Sequence, residues 1–378
     1  MTEQGLTADV AIVGAGVIGC AVAYFLSSAH GMRCVVIDRD TAHKTASWMA
    51  AGELSPAYRS TAPYPQPFVD FCVEGLRLHK EMERGLVSES GVDYKLVNTP
   101  ILRPAFTEAE ASDMQELGRQ QRSYGMRNRW LTAVDLRGMK TWLSPHALGA
   151  LLCEDEMQLE AALLAQALRL ACGRRGVSFR TAEATGLAQA GGRVTGVVAG
   201  GEQVACGSVV LAMGPWARFA EEWLGSRVPV EPLRGQIVHL QVAGPLPKEA
   251  IFHASAYVLP KPSGRVYVGT TEEYAGFDSS TTQEGHDAIM ENVLRLAPSL
   301  AGAKELEMTA CLRPLSLDEM PFIGPAPGKQ GLFLATGHGR KGILLCLATG
   351  KYLAQQVAGQ KAGYDLGAFS MERVAGRQ

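Results

Sequence analysis

The sequence predicts a mixed α/β fold, α+β in arrangement, in which a parallel strand–helix layer is joined to an antiparallel β-rich layer. Three observations predict it. "DVAIVGAGVIGC" runs from an apolar strand through a glycine turn into a helix. "GLFLATGHGRKGILLC" repeats that order near the C-terminus. Between them lie alternating apolar runs with turns such as "PKPSGRVYVG", the signature of β-hairpins.

The first unit is complete. A continuous apolar run suits a strand buried on both faces. "GCAVAYFLSSAHG" has helical patterning and stops at Gly31, and "CVVIDRD" is the next strand. "TASWMAAGELSPAYRSTAPYP" is rich in small residues and closes in prolines, so it reads as a loop or short helix. "QPFVDFCVEGLRLHKEMERG" has helical periodicity. Residues 90–145 are polar and mixed, like an inserted region. "EMQLEAALLAQALRLACGRRG" is an amphipathic helix, followed by short strands with glycine turns that lead into the buried strand "SVVLAMG". From about 217 to 310 hairpins predominate, with one helix among them. The expected division gives 1–85, 146–216 and 311–378 to a discontinuous Rossmann-like domain, and 86–145 with 217–310 to the β-rich one.

Composition excludes several classes. Of 378 residues, 47% are hydrophobic and 20% charged, as in ordinary globular chains. The net charge of −2 gives no reason to expect nucleic acid or an anionic membrane. The N-terminal apolar stretch has no basic region before it and Asp9 adjoins it, so a targeting or membrane segment is rejected and a cytoplasmic protein expected. Eight scattered cysteines lack metal-type spacing, so reduced core thiols and no metal site are expected.

Gly14, Gly16 and Gly19 form G-x-G-x-x-G at the first strand-to-helix turn. The first permits the tight turn, the second lets a pyrophosphate approach the backbone, and the third lets helix and strand pack closely. Asp38 ends the next strand, where an acid accepts from ribose hydroxyls. Thr45 and Ser47 add hydroxyls soon after. "VVLAMGPW" and "ATGHGRKGILL" offer two further close backbone approaches, more than a nicotinamide cofactor needs and suited to a long flavin. Arg340 and Lys341 stand where a helix begins, although cations favour the opposite end of a helix. Either an anion lies near them or they are solvated loop charges.

In these motifs the chain resembles the D-amino acid oxidase family of flavoproteins, and within it the glycine oxidase branch. The resemblance covers nearly the whole chain in order: "DVAIVGAGVIGCAVAYFL", "ASWMAAGEL", "VVLAMGPW", "LRGQIVHL", "AYVLPK", "VYVGTTEEYAGFD", "CLRPLSLDEMPFIG" and "GLFLATGHGRKGILLCLATG". It implies a Rossmann-like FAD-binding domain and an antiparallel β-rich substrate domain. Implied FAD contacts are Gly14, Gly16, Val17, Ile18 and Gly19, then Asp38, Arg39, Thr45, Ala46, Ser47, Ala50, Ala51 and Gly52. Ala184, Gly214 and Trp216 follow, then Gly339, Arg340, Lys341, Gly342 and Ile343, with Lys341's own side chain read as solvated. Arg313 matches the family's substrate-carboxylate arginine, Tyr257 its hydrogen-bonding partner, and Arg340 a second arginine near substrate and flavin. The anions expected at Arg340 are the substrate carboxylate and the reduced flavin.

There are departures. Trp48 and Met49 stand where close relatives often carry small residues. Glu53 replaces a methionine of some glycine oxidases and faces either a substrate amine or solvent. His43 is out of register with a flavin-anchoring histidine, and no cysteine clearly matches an anchoring cysteine, so non-covalent FAD is expected. The implied reaction is oxidation of glycine or an N-substituted glycine by hydride transfer to flavin N5. The imine hydrolyses to glyoxylate and an amine, and molecular oxygen gives hydrogen peroxide. A D-amino acid preference, a dehydrogenase with another acceptor, a nicotinamide enzyme, a non-catalytic flavin subunit and a homo-oligomeric state remain open.

Overall fold

The computed structural model describes residues 7–39, 45–56, 64–254 and 256–374. The first strand (Thr7–Val13) pairs in parallel with Cys34–Asp38 on one side and Glu202–Leu211 on the other. Ser178–Thr181 and Leu332–Thr336 extend the parallel layer outwards, also in parallel. Strand Glu202–Leu211 has two roles. Its beginning closes an antiparallel meander with Ala184–Ala190 and Arg193–Ala199, and its end lies in the parallel core.

Four helices cover one face of this sheet: Val17–His30, Gln66–Ser90, Ala161–Arg174 and Gly342–Val357. The C-terminal helix sits deepest, with Leu344, Leu345, Leu347 and Leu353 at most 1% exposed. Each such leucine contributes about 1.5–3 kcal/mol by leaving water. Close approach needs glycine at two points. A Cβ on Gly350 would lie 2.7 Å from the Ala21 carbonyl carbon, and one on Gly75 would lie 2.5 Å from the Leu344 carbonyl oxygen. These contacts hold the last helix against helices Val17–His30 and Gln66–Ser90.

A second eight-stranded sheet runs in the order 304–316, 230–241, 266–269, 256–260, 250–253, 101–105, 149–153, 128–132. All its pairings are antiparallel except that between 250–253 and 101–105. Helix Gln283–Leu296 packs its buried face, Ile289 and Val293, on this sheet. Strand Gly149–Cys153 belongs to this sheet, although the sequence reading allotted 146–216 to the first domain. Strand Lys304–Ser316 likewise runs past the expected boundary at 310. Strand Gly149–Cys153 is a short apolar run, and periodicity does not tell which sheet such a run joins. Among the described residues, no helix is long and apolar enough to cross a membrane.

Candidate active site

One cavity of about 690 Å³ opens between the two sheets. At one end lies the first glycine turn. Gly14 has φ +111°, and a Cβ there would stand 2.2 Å from the Ala212 carbonyl oxygen, so no other residue fits. A Cβ on Gly19 would stand 1.9 Å from the Gly14 carbonyl oxygen. Asp38 Oδ2 accepts from Ala15 N at 2.6 Å, and Ser47 Oγ accepts from Val17 N at 3.0 Å. These two bonds pin the turn from the next strand and from the 45–52 loop. Gly16 brings no side chain to cap the helix, and its first turn has no acid, so the positive end of the helix faces the cavity.

In the middle the wall is the loop from Thr45 to Ser55. Gly52 has φ +80°, and a Cβ there would meet the Leu159 carbonyl oxygen at 2.1 Å. Lys261, from the second sheet, reaches this loop. Its buried ammonium donates to the Ala51 and Leu159 carbonyls, each at 2.7 Å, with Glu160 at 3.8 Å. Desolvation lowers its pKa to about 8, with Glu160 opposing.

At the far end stands Arg313, which pairs across the sheet with Leu233. Its Nη2 donates to Thr270 Oγ1 at 2.8 Å and its Nη1 to the Thr271 carbonyl at 3.2 Å. Among the described residues no carboxylate forms an ion pair with it. The guanidinium lies over Gly235, where a Cβ would come within 2.1–2.2 Å of its atoms. Tyr257 is buried beside it, its ring against Gly269 and stacked on Phe252 at 5.2 Å. Burial raises the phenol pKa, which Arg313 partly opposes, so the hydroxyl remains a proton donor. An arginine with no ion-paired acid among the described residues and a neutral phenol together suit a carboxylate ligand.

Every site residue expected from the sequence lines this cavity except Gly19, which does the packing its position implies. Two readings need correction. Lys341 is not solvated: it is buried, and its Nζ donates to the Ser55 carbonyl at 2.7 Å. Burial works against its charge, but Glu53 and its other neighbours outweigh it and the pKa is raised. Arg340 already holds protein anions. Its Nε and Nη2 grip Glu272 at 2.5 and 2.6 Å, and its Nη1 meets Glu319 at 2.9 Å. Burial opposes the Arg340 charge, and the two acids more than offset it. Glu272 lies in the quoted "TTEEYAGFD" stretch and Glu319 in "SLDEMP", but nothing in the sequence paired either with Arg340.

The cavity has further walls that sequence reasoning missed, notably Phe252, Thr270, Tyr64 and His338. His338 is buried, shares a hydrogen bond with Thr349 Oγ1 at 3.0 Å, and is held neutral by desolvation, its pKa lowered to about 3. Cys311 is the one cysteine on the cavity wall, and all eight are free and buried. Burial raises the Cys311 pKa, against the pull of Arg313, so it is a protonated thiol. His43 lies outside the described residues. Among those described, no cluster could hold a metal ion.

The sequence profile of the family described as "FAD dependent oxidoreductase" matches residues 9–356. The chain belongs to that family. The glycine oxidase of Geobacillus kaustophilus (strain HTA426) is 30% identical over 373 residues, covering 98% of each chain. The crystal structure of glycine oxidase from Geobacillus kaustophilus superposes with a TM-score of 0.91 at 28% identity, covering 97% of this chain and 99% of that one. That of iminodiacetate oxidase (IdaA) from Chelativorans sp. BNC1 gives a TM-score of 0.84 at 25% identity, over 96% and 98%. The protein is thus a glycine-oxidase-like, FAD-dependent oxidoreductase. Its own residues fit the cofactor. Gly14 and Gly16 bring no side chains of their own to the turn, where a Cβ would meet the Ala212 carbonyl oxygen at 2.2 Å and Ser47 Oγ at 3.0 Å, and the opening of helix Val17–His30 faces the cavity.

Proposed function

We propose that this member of the FAD-dependent family oxidises glycine or an N-substituted glycine at the glycyl C–N bond, releasing glyoxylate and an amine, with molecular oxygen as electron acceptor. The observation that carries it is Arg313, a cavity-lining cation without an acid partner among the described residues, beside the protonated Tyr257. A planar fork and a phenol bind a carboxylate in one orientation, which sets the α-carbon of the ligand in place.

The cradle at Gly14, Gly16, Asp38 and Ser47, the 45–52 loop and the backbone from Gly339 to Ile343 would hold FAD without a covalent bond. Bound there, FAD would supply the two-electron acceptor for the α-hydrogen. The chain contributes orientation and electrostatics. Arg313 and Tyr257 hold the carboxylate, the Arg340 cluster fixes the wall beside the 339–343 turn, and Phe252 and Tyr257 keep that end apolar and dry. The substrate amine has to be neutral when its α-hydrogen leaves, and no side-chain base is required for the C–H step. The test is stoichiometry under air. Glycine or N-ethylglycine is predicted to give glyoxylate and hydrogen peroxide in equal amounts. Glyoxylate without peroxide, formed only with an added electron acceptor, would instead support a dehydrogenase.

A further inference from the structure

The charged side chains at the substrate end of the cavity are not all committed. Glu272 and Glu319 are both tied to Arg340. Lys341 gives its ammonium to the Ser55 carbonyl and, among the described residues, makes no ion pair with a carboxylate. Glu53 lines the same cavity, half-buried, on the two-residue strand that follows Gly52. Among the described residues, its carboxylate has neither a hydrogen bond nor an ion pair. Its field still reaches the site: its charge raises the pKa of both Tyr257 and Lys341.

Charge balance says what this acid meets. Among the described residues, Arg313, Arg340 and Lys341 face Glu53, Glu272 and Glu319, so the formal charges they bring to this end sum to zero before a ligand enters. A carboxylate on Arg313 makes it negative by one. The ligand restores neutrality if it carries a cation as well, and a second carboxylate would leave two negative charges uncompensated. If that cation were the reacting amine, Glu53 would hold it protonated. An opposite charge at close range raises an amine pKa, and the neutral fraction falls about ten- to thousandfold. The productive cation is therefore a group that does not react.

We infer that Glu53 determines specificity by reading the charge of the substrate's outer group, the N-substituent or side chain beyond the reacting C–N bond. It favours a cationic group over a neutral one and rejects an anionic one. The backbone fixes the carboxylate where it can do this. Gly52 admits no side chain against Leu159, Leu159 N donates to the Gly52 carbonyl at 2.9 Å, and Lys261 holds the Ala51 carbonyl. The strand thus enters at one angle, and Glu53 pairs with Gln158 across it.

This inference rests on the proposed carboxylate anchor at Arg313, and its test does not depend on turnover. The FAD-loaded protein is titrated with 4-aminobutanoate, pentanoate and glutarate while the flavin spectrum is recorded. The three share a five-atom chain and lack an α-amine, and their outer groups are an ammonium, a methyl and a carboxylate. In the unaltered protein Kd is expected to rise in that order. In Glu53→Gln the ratio of the glutarate to the 4-aminobutanoate Kd is expected to fall about tenfold or more. An unchanged ratio in Glu53→Gln overturns the inference. So does tighter binding of glutarate than of 4-aminobutanoate by the unaltered protein, a result that stands even if the variant fails to load FAD. Failure of all three ligands to bind, in a protein whose flavin glycine does bleach, also overturns it. Failure of glycine-type substrates to bleach the flavin, with the Kd order intact, sinks the proposed reaction and leaves the role of Glu53 standing.

Discussion

Gly235 lies under the Arg313 guanidinium, and replacing it by alanine moves that arginine without deleting it. A Cβ at 235 would stand 2.1 Å from Nη2 and 2.2 Å from Cζ and Nη1. Contact becomes ordinary near 3.4 Å, so the guanidinium must retreat by about 1.3 Å, the difference between these distances. It is the far end of a flexible chain, so it can move, but its bonds to Thr270 Oγ1 and the Thr271 carbonyl go with it. A misplacement of about 1 Å in a positioning group typically costs about 10²-fold in rate, or ~2.7 kcal/mol. Stability should change little, because the gain in the unfolded chain is offset by the two lost Arg313 hydrogen bonds. Gly235 does not have a positive φ, and glycine to alanine at such a site gains roughly 0.4–1 kcal/mol through the unfolded chain. The assay is kcat/KM for glycine and N-ethylglycine beside the melting temperature and the flavin spectrum. The expected result is a fall of about a hundredfold with Tm and spectrum retained. A variant within twofold of normal kcat/KM, still loaded with FAD, would show that Arg313 does not anchor the substrate.

Other substitutions probe the same account. Arg313→Leu leaves a bound carboxylate without its partner, an expected loss of about 3–5 kcal/mol, while Tyr257→Phe removes one hydrogen bond and should cost less; steady-state kinetics of both, with flavin content as control, check the order. Gly19→Ala would set a Cβ 1.9 Å from the Gly14 carbonyl oxygen and should yield protein without flavin, read as the ratio of flavin to protein absorbance. FAD should leave the chain on acid precipitation; flavin that stays with the denatured protein would contradict this and point to the Cys311 thiol on the cavity wall. Buried His79 is held neutral by desolvation, its pKa lowered to about 4. Between about pH 6.5 and 4 the unfolded chain binds the proton and the folded one does not, so this contribution is whole above 6.5 and is lost as the pH falls. Urea unfolding at pH 7 and pH 5 should differ by about 2 kcal/mol from this residue, and His79→Gln should flatten the slope.

The sequence disclosed the nucleotide end of the site well because its chemistry is local. Gly14, Gly16 and Gly19 lie within six residues, and each constraint acts on a neighbour in the chain or on the strand beside it. Lys341 and Arg340 were harder. Their partners are Ser55, Glu272 and Glu319, remote in sequence, and a basic pair at a helix start looks the same whether it meets water or a buried carbonyl. Lys261 was quoted within "AYVLPK" but given no role, since its two carbonyl acceptors belong to another part of the chain. The strand Gly149–Cys153 shows the same limit in the fold, because its partners lie in two separate stretches, 101–105 and 128–132.

The claim that a carboxylate anchored at Arg313 presents a glycine-type C–N bond for oxidation is tested most directly by anaerobic flavin reduction. The FAD-loaded protein is mixed without oxygen with glycine, N-ethylglycine or D-alanine, and the loss of the oxidised flavin band is followed in time. The account predicts rapid bleaching by glycine or N-ethylglycine, slower bleaching by D-alanine, and a rate depressed about a hundredfold or more in Arg313→Leu. Bleaching dominated by D-alanine, or equal rates with and without the Arg313 guanidinium, would contradict it.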